Sequence, residues 1–244
     1  MQLLVVKHSR NYRLADRERC PNLDVSAMLE EEANLRQNQL PQQRIEQLSL
    51  PERVDVEIIE KMRPLLQKPT VQKVGMLGNL GDEPPLLAIS AALLIGGTIT
   101  RKPALQRAAI RMALAHLIAI GFKEVGKNNV DRTRPDEQLK TGTYHMSAGH
   151  SHEADLRSFP SGHTAGALAV ARAFSRDYPR YTKPVLAAAA VVGALQVPRR
   201  AHYPGDVLAG AVAGAVAEKI ATFVIDRLGL TNRRLAALLR PVNA

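Results

Sequence analysis

The 244-residue sequence has no tryptophan, a single cysteine, and aromatic side chains at only 4% of positions. The lone thiol, Cys20, cannot pair within the chain, so no internal disulfide framework holds the fold; this fits a reducing compartment without requiring one. Scarce aromatics remove the stacking surfaces on which nucleic-acid binders seat bases, so no nucleic-acid partner is expected despite a formal net charge of +10. Long apolar runs are also short in supply. "LLAISAALLIGGTI" has 14 residues and "VLAAAAVVGALQV" 13, below the roughly 20 that span a bilayer. By length, a soluble or peripheral bundle stands beside a membrane one. The opening "MQLLVVKHSR" carries an apolar run of five before a charge and does not read as a secretory signal. No alternating strand pattern occurs.

What is present is uneven. Residues 1–83 hold 12 Lys/Arg and 13 Asp/Glu, net −1, whereas residues 84–244 hold 21 and 10, net +11. A basic surplus in the apolar part points to anionic partners such as phosphates or acidic lipid. The polar N-terminal part predicts two helical passages. One is the solvated "DVSAMLEEEANLRQNQ" (24–39). The other is 49–66, opened by Ser49 and Glu52 in capping-box spacing, with Val54, Ile58, Met62, Leu65 and Leu66 as its apolar stripe. From residue 84 on, the pattern predicts helices over 84–100, 104–125, 161–177, 183–197 and 205–226. Gly162/Gly166 and Gly210/Gly214 suit close helix approach. The expected fold is all-α: a bundle of about five apolar core helices (75–230) after a polar, partly helical extension (1–74), with a basic tail at 231–244.

Three polar clusters interrupt this pattern: "KNNVDRTRP" (127–135), "FPSGH" (159–163) and "RRAHYPGD" (199–206). In an up-and-down bundle the connections that carry them emerge at one end. Lys127 is a point cation and Arg134 a fork that grips two oxygens. The amides near Ser161 and Gly162 open a helix and are an anion site, to which the Ser161 hydroxyl adds a donor. His202 stands just outside the last helix and Asp206 inside its first turn, where a carboxylate can hold one imidazole nitrogen while the other attacks. His163 is placed to protonate a departing oxygen. Singly, each residue has an ordinary reading as a cap or a solvated charge; the conjunction carries the site. His145, His150 and His152 lie in the same long connection, but their spacing matches no closed metal set, and a flexible loop near the entrance is the expectation.

In these motifs the chain resembles the type 2 phosphatidic acid phosphatase and vanadium haloperoxidase superfamily, over roughly 75–225. The matching patterns are Lys, six residues, Arg-Pro; Pro-Ser-Gly-His; and His, three residues, Asp. The resemblance implies a metal-independent phosphatase that works through a phosphohistidine and needs no cofactor, though vanadate can bind as a phosphate mimic. By the matched positions His202 is the nucleophile, Asp206 its orienter and His163 the acid, with Lys127, Arg134, Ser161 and Gly162 binding phosphate. One departure stands out. Where the family has a Ser-Arg pair, this chain has Leu195 and Gln196. The missing cation costs about 1.5–3 kcal/mol of phosphate contact unless Arg199 or Arg200 replaces it.

The substrate expected is an anionic lipid phosphate or polyprenyl diphosphate, and the setting a membrane. Basic segments at 100–107, 176–183 and 226–240 place those ends in the cytoplasm and the site outside, as in a bacterial inner membrane. Two rival readings are a vanadate-dependent haloperoxidase and a non-catalytic phosphate- or lipid-binding member weakened at Gln196.

Overall fold

A computed structural model describes residues 41–229; the helix expected over 24–39 and the tail at 231–244 lie outside the described residues. The chain enters through α1 (Gln42–Glu46) and α2 (Leu50–Leu66). The Ser49 amide donates to the Glu52 carboxylate at 3.3 Å, closing the start of α2. The buried face of α2 only partly follows the expected stripe: Leu66 is in the core and Met62 packs against it. Val54 and Leu65 are exposed, whereas Asp55, Val56, Ile59, Arg63 and Leu66 are buried. Two paired charges belong to that face, and a periodicity read from apolar residues alone takes the wrong phase. Ile45, Val56, Ile59 and Leu66 share a small core with Leu139 and Tyr203. The lead-in helices therefore fall in the same compact unit as the bundle.

Next come α3 (Pro69–Gly75), a 3-10 turn (Met76–Gly81), α4 (Glu83–Ile99) and α5 (Pro103–Lys127). The long connection after α5 is structured: β1 (Val130–Arg132), α6 (Pro135–Thr141) and β2 (Met146–Ala148), with Asp131 opposite Ser147 in an antiparallel pair. Strands of three residues carry too little alternation to be read in advance. The bundle closes with α7 (Gly162–Asp177), α8 (Thr182–Ala194) and α9 (Pro204–Arg227). The five apolar helices are those expected, and prolines in the first turns of α4, α5 and α9 fix their starts. The fold is all-α.

α5, α7 and α9 pack on one another, with α4 against α5 and α8 against α7. Their shared core is built largely from alanine, including Ala115, Ala119, Ala165, Ala169, Ala217 and Ala221. The two glycine pairs serve different contacts. A Cβ on Gly210 or Gly214 would lie 2.4 Å from the Ser161 and Ala165 carbonyl oxygens, so these glycines bring α9 onto the α7 backbone; one on Gly166 would meet the His116 ring of α5 at 2.8 Å.

The charges that interrupt the helices pair with one another at the far end. Glu218, fully buried, accepts from Arg176 at 2.8 Å and Arg172 at 3.1 Å, and Asp177 holds Arg107 and Arg111. At the opposite end α5 finishes while α4, α7 and α9 begin. Among the described residues one helix, α9, is long and apolar enough to cross a membrane; α3 with its 3-10 turn and α4 pass the same test only as a pair bent by 46°. Leu208, Val212, Val216, Ile220 and Phe223 all face outward along α9.

Candidate active site

The connection between α8 and α9 delivers His202, which is buried. Its Nδ1 lies 2.7 Å from the Ser158 carbonyl oxygen. A carbonyl only accepts, so Nδ1 carries the proton and Nε2 keeps its lone pair. Asp206, in the first turn of α9, is not the direct hydrogen-bond partner. Its Oδ2 stands 3.7 Å from Nδ1 and accepts instead from the Ser158 hydroxyl at 2.6 Å and the Tyr203 amide at 2.9 Å. The carboxylate acts on the ring through its charge, and Ser158 fixes the ring's orientation. Burial pushes the His202 imidazole below its ordinary pKa; Asp206 pulls it back up, and Arg134 and Lys127 push it further down. The result is a neutral imidazole with a free Nε2.

His163, in the first turn of α7, faces His202 with ring centroids 6.2 Å apart and planes at 63°. Its Nε2 meets Arg199 Nη1 at 3.1 Å and also lies 2.5 Å from Asp82 Oδ1 at the N-cap of α4. Burial pushes His163 down to about 4, opposed by the Asp82 carboxylate and helped by His202 and Arg199.

Cations without counter-ions surround the two rings. Lys127 ends α5 and makes no hydrogen bond or ion pair among the described residues; burial and the nearby Arg134 push it down to about 8. Arg134 donates Nε to the Ala154 carbonyl at 2.8 Å, and its terminal nitrogens have no partner among the described residues. Burial lowers its pKa, with Arg199 adding repulsion. Cations that repel one another beside two imidazoles are an arrangement that an anion would relieve.

Ser161 is fully buried at the N-cap of α7, and its hydroxyl accepts from the Thr164 amide at 3.4 Å and meets the Thr164 hydroxyl at 2.9 Å. It caps its own helix, and the amides of Gly162 and His163, in the first turn, have no acceptor within the helix. A Cβ on Gly162 would lie 2.5 Å from Lys123 Cδ.

Of the replacement cations, the structure brings in Arg199, whose Nη1 also donates to Gln196 Oε1 at 3.3 Å. Gln196 itself is fully buried, with Nε2 donating to the Val192 carbonyl at 2.9 Å. Arg200 turns away in a left-handed conformation (φ 59°) to pair with Asp136 at 3.0 Å. His145 bonds Ser147 and His150 bonds the Asn128 carbonyl. Four residues of the surround escaped the sequence reading: Asp55, Asp82, Arg132 and Ser158. Arg132 and Ser158 sit inside or beside quoted motifs, but nothing in spacing separates them from filler; Asp55 and Asp82 arrive from elements distant in sequence.

The PAP2 superfamily model matches residues 108–228. A Lipid A 1-phosphatase of Rhizobium johnstonii is 36% identical over 104 residues, which is 43% of this chain and 42% of that protein. A Lipid A 1-phosphatase of Rhizobium etli is 30% identical over 173 residues, 66% of this chain and 74% of that protein. The crystal structure of Aquifex aeolicus LpxE aligns with 66% of this chain and 93% of its own at 21% identity and a TM-score of 0.45. With all three motifs gathered at one end of the bundle and an alignment over most of a named relative, the chain belongs to the PAP2 superfamily.

Proposed function

We propose that this protein is a phosphatase that removes phosphate from a lipid, with His202 as nucleophile. The carrying observation is the pair of imidazoles with centroids 6.2 Å apart beneath the unpaired Lys127 and Arg134. Nε2 of His202 attacks phosphorus while the bond to the lipid oxygen breaks, and that oxygen takes a proton from His163. A water, deprotonated by His163, then attacks phosphorus, the P–N bond breaks, and inorganic phosphate leaves. Lys127, Arg134, Arg199 and the first-turn amides of α7 stabilise the charge that builds on the equatorial oxygens. General acid–base help from His163 is worth about 10²–10⁴ in rate. These cations supply the charge, so no metal is assigned to the step.

The names of the two relatives suggest the 1-phosphate of lipid A as the substrate. The outward apolar residues of α9, together with Ile95 and Ile99 on α4, support a bundle set against acyl chains. Arg101, Lys102, Arg180, Lys183 and Arg227 are exposed at the end opposite the site, which supports an orientation with the site away from the cytoplasm. The test is phosphate release from lipid A 1-phosphate, phosphatidic acid, phosphatidylglycerol phosphate and undecaprenyl diphosphate, in detergent with chelator. His202→Ala is expected to abolish release and keep its helical circular dichroism. Retained release by that variant sinks the nucleophile assignment.

A further inference from the structure

Behind His202 a row of buried charges continues past Asp206 to Arg132 and Asp55. Asp206 Oδ1 accepts from Arg132 Nη1 and Asp55 Oδ2 accepts from Arg132 Nη2 at 2.8 Å, with side-chain exposures of 0%, 3% and 6% for Asp206, Arg132 and Asp55. Arg132 Nε donates to the Tyr144 hydroxyl at 3.1 Å, and its guanidinium lies 4.3 Å from the Tyr203 ring centroid. Asp55 Oδ1 accepts the Gly205 amide at 2.8 Å, one residue before Asp206, and a Cβ on Gly205 would lie 2.4 Å from Asp55 Oδ2. Asp55 belongs to α2, outside the stretch matched by the superfamily model.

We propose that α2 serves the reaction through Asp55, which with Arg132 is a positioning residue that keeps the Asp206 charge effective on His202. This rests on His202 being the nucleophile. As the bond from Nε2 to phosphorus forms, the imidazole gains positive charge, and Asp206 is the anion nearest the far side of the ring. Arg132 alone would cancel that anion, because a guanidinium in contact with a carboxylate leaves a pair of no net charge. Asp55 cancels Arg132 in turn. Asp206, Arg132 and Asp55 then sum to −1 behind the ring, opposite Lys127 and Arg134 on the substrate side. In an interior poor in water such a charge is screened less than it would be at the surface.

The test uses the full chain in detergent with p-nitrophenyl phosphate as substrate, orthovanadate as a five-coordinate mimic and inorganic phosphate as a ground-state ligand. Asp55→Asn keeps the shape and removes the charge. It is expected to lower kcat about tenfold and raise the vanadate inhibition constant about tenfold, with KM and the phosphate constant within about twofold. Adding Arg132→Gln restores the sum to −1 and is expected to return the vanadate-to-phosphate ratio to within about threefold of wild type. An unchanged kcat and vanadate constant in Asp55→Asn overturns the proposal. So does a parallel loss of both ligands, or a double variant whose ratio stays with the single one. If Asp55→Asn does not fold, the charge-balanced double variant decides by the same ratio. His202→Ala separates the layers: activity there removes the nucleophile itself, whereas a dead His202→Ala beside an unaffected Asp55→Asn removes only the role of α2.

Discussion

Arg199 and His163 meet nitrogen to nitrogen, Nη1 to Nε2, at 3.1 Å. A guanidinium only donates, so this contact needs the Nε2 lone pair of a neutral ring. The same Nε2 faces the Asp82 carboxylate, which needs a proton there. Protonation of His163 therefore exchanges one partner for the other, and an arriving phosphate favours the exchange by drawing the guanidinium to itself and adding negative charge beside the ring.

Asp82→Asn should expose this dependence. Asp82 raises the His163 pKa against a burial that lowers it to about 4. Without the carboxylate the pKa falls further, and an acid must be protonated to act. The alkaline decline of kcat/KM is thus expected to start at lower pH, with a loss of about tenfold at neutral pH that shrinks in more acidic buffer. A pH–rate profile that superimposes on wild type contradicts the exchange.

If Arg199 stands in for the cation missing at position 196, Arg199→Ala is expected to lower kcat/KM by about ten- to a hundredfold. Gln196→Arg in the otherwise unaltered chain should bring no gain, because Gln196 is fully buried and a Cβ on Gly78 would already lie 2.6 Å from its Nε2. With the Arg199 side chain removed, the same Gln196→Arg is expected to recover part of the loss. Steady-state kinetics on the single and double variants checks both statements.

Lys127 is pushed down to about 8, so it is charged below that pH and discharges above it. Binding of inorganic phosphate, followed by titration calorimetry, should weaken as pH climbs through 8. Lys127→Arg keeps its charge and should flatten that slope. An equally steep fall in Lys127→Arg places the titration elsewhere.

Gly214→Ala tests the helix contact that seats the site. Its new methyl would press on the Ala165 carbonyl, a backbone atom that cannot swing aside. Overpacking of this kind costs about 1–3 kcal/mol, which thermal unfolding in detergent reads as a lower Tm. Because α7 carries Ser161 and His163, kcat should fall with it.

The bundle was legible because its helices announce themselves twice, by apolar periodicity and by prolines at their starts; Pro103 and Pro204 set α5 and α9. His163, His202, Lys127 and Arg134 were legible because they stand in three short motifs on connections that an up-and-down bundle brings out at one end. The phase of α2 was not, since its buried face includes Asp55 and Arg63, and a charge in the interior has no apolar signature until its partner is known. Ser158 was missed for a related reason: its carbonyl, a group every residue owns, holds His202. The β1–β2 pair is too short to leave a pattern, and Asp82 reaches His163 only because α4 begins beside α7.

Three helices, α4, α7 and α9, start at the end of the bundle that holds the histidines. Aligned peptide groups leave a partial positive pole at each such start. Part of the attraction for an anion there is built into the main chain, where it neither titrates nor disappears with a side-chain substitution. In alkaline buffer, with lysine discharged, the mouth of the protein keeps a residual pull on phosphate.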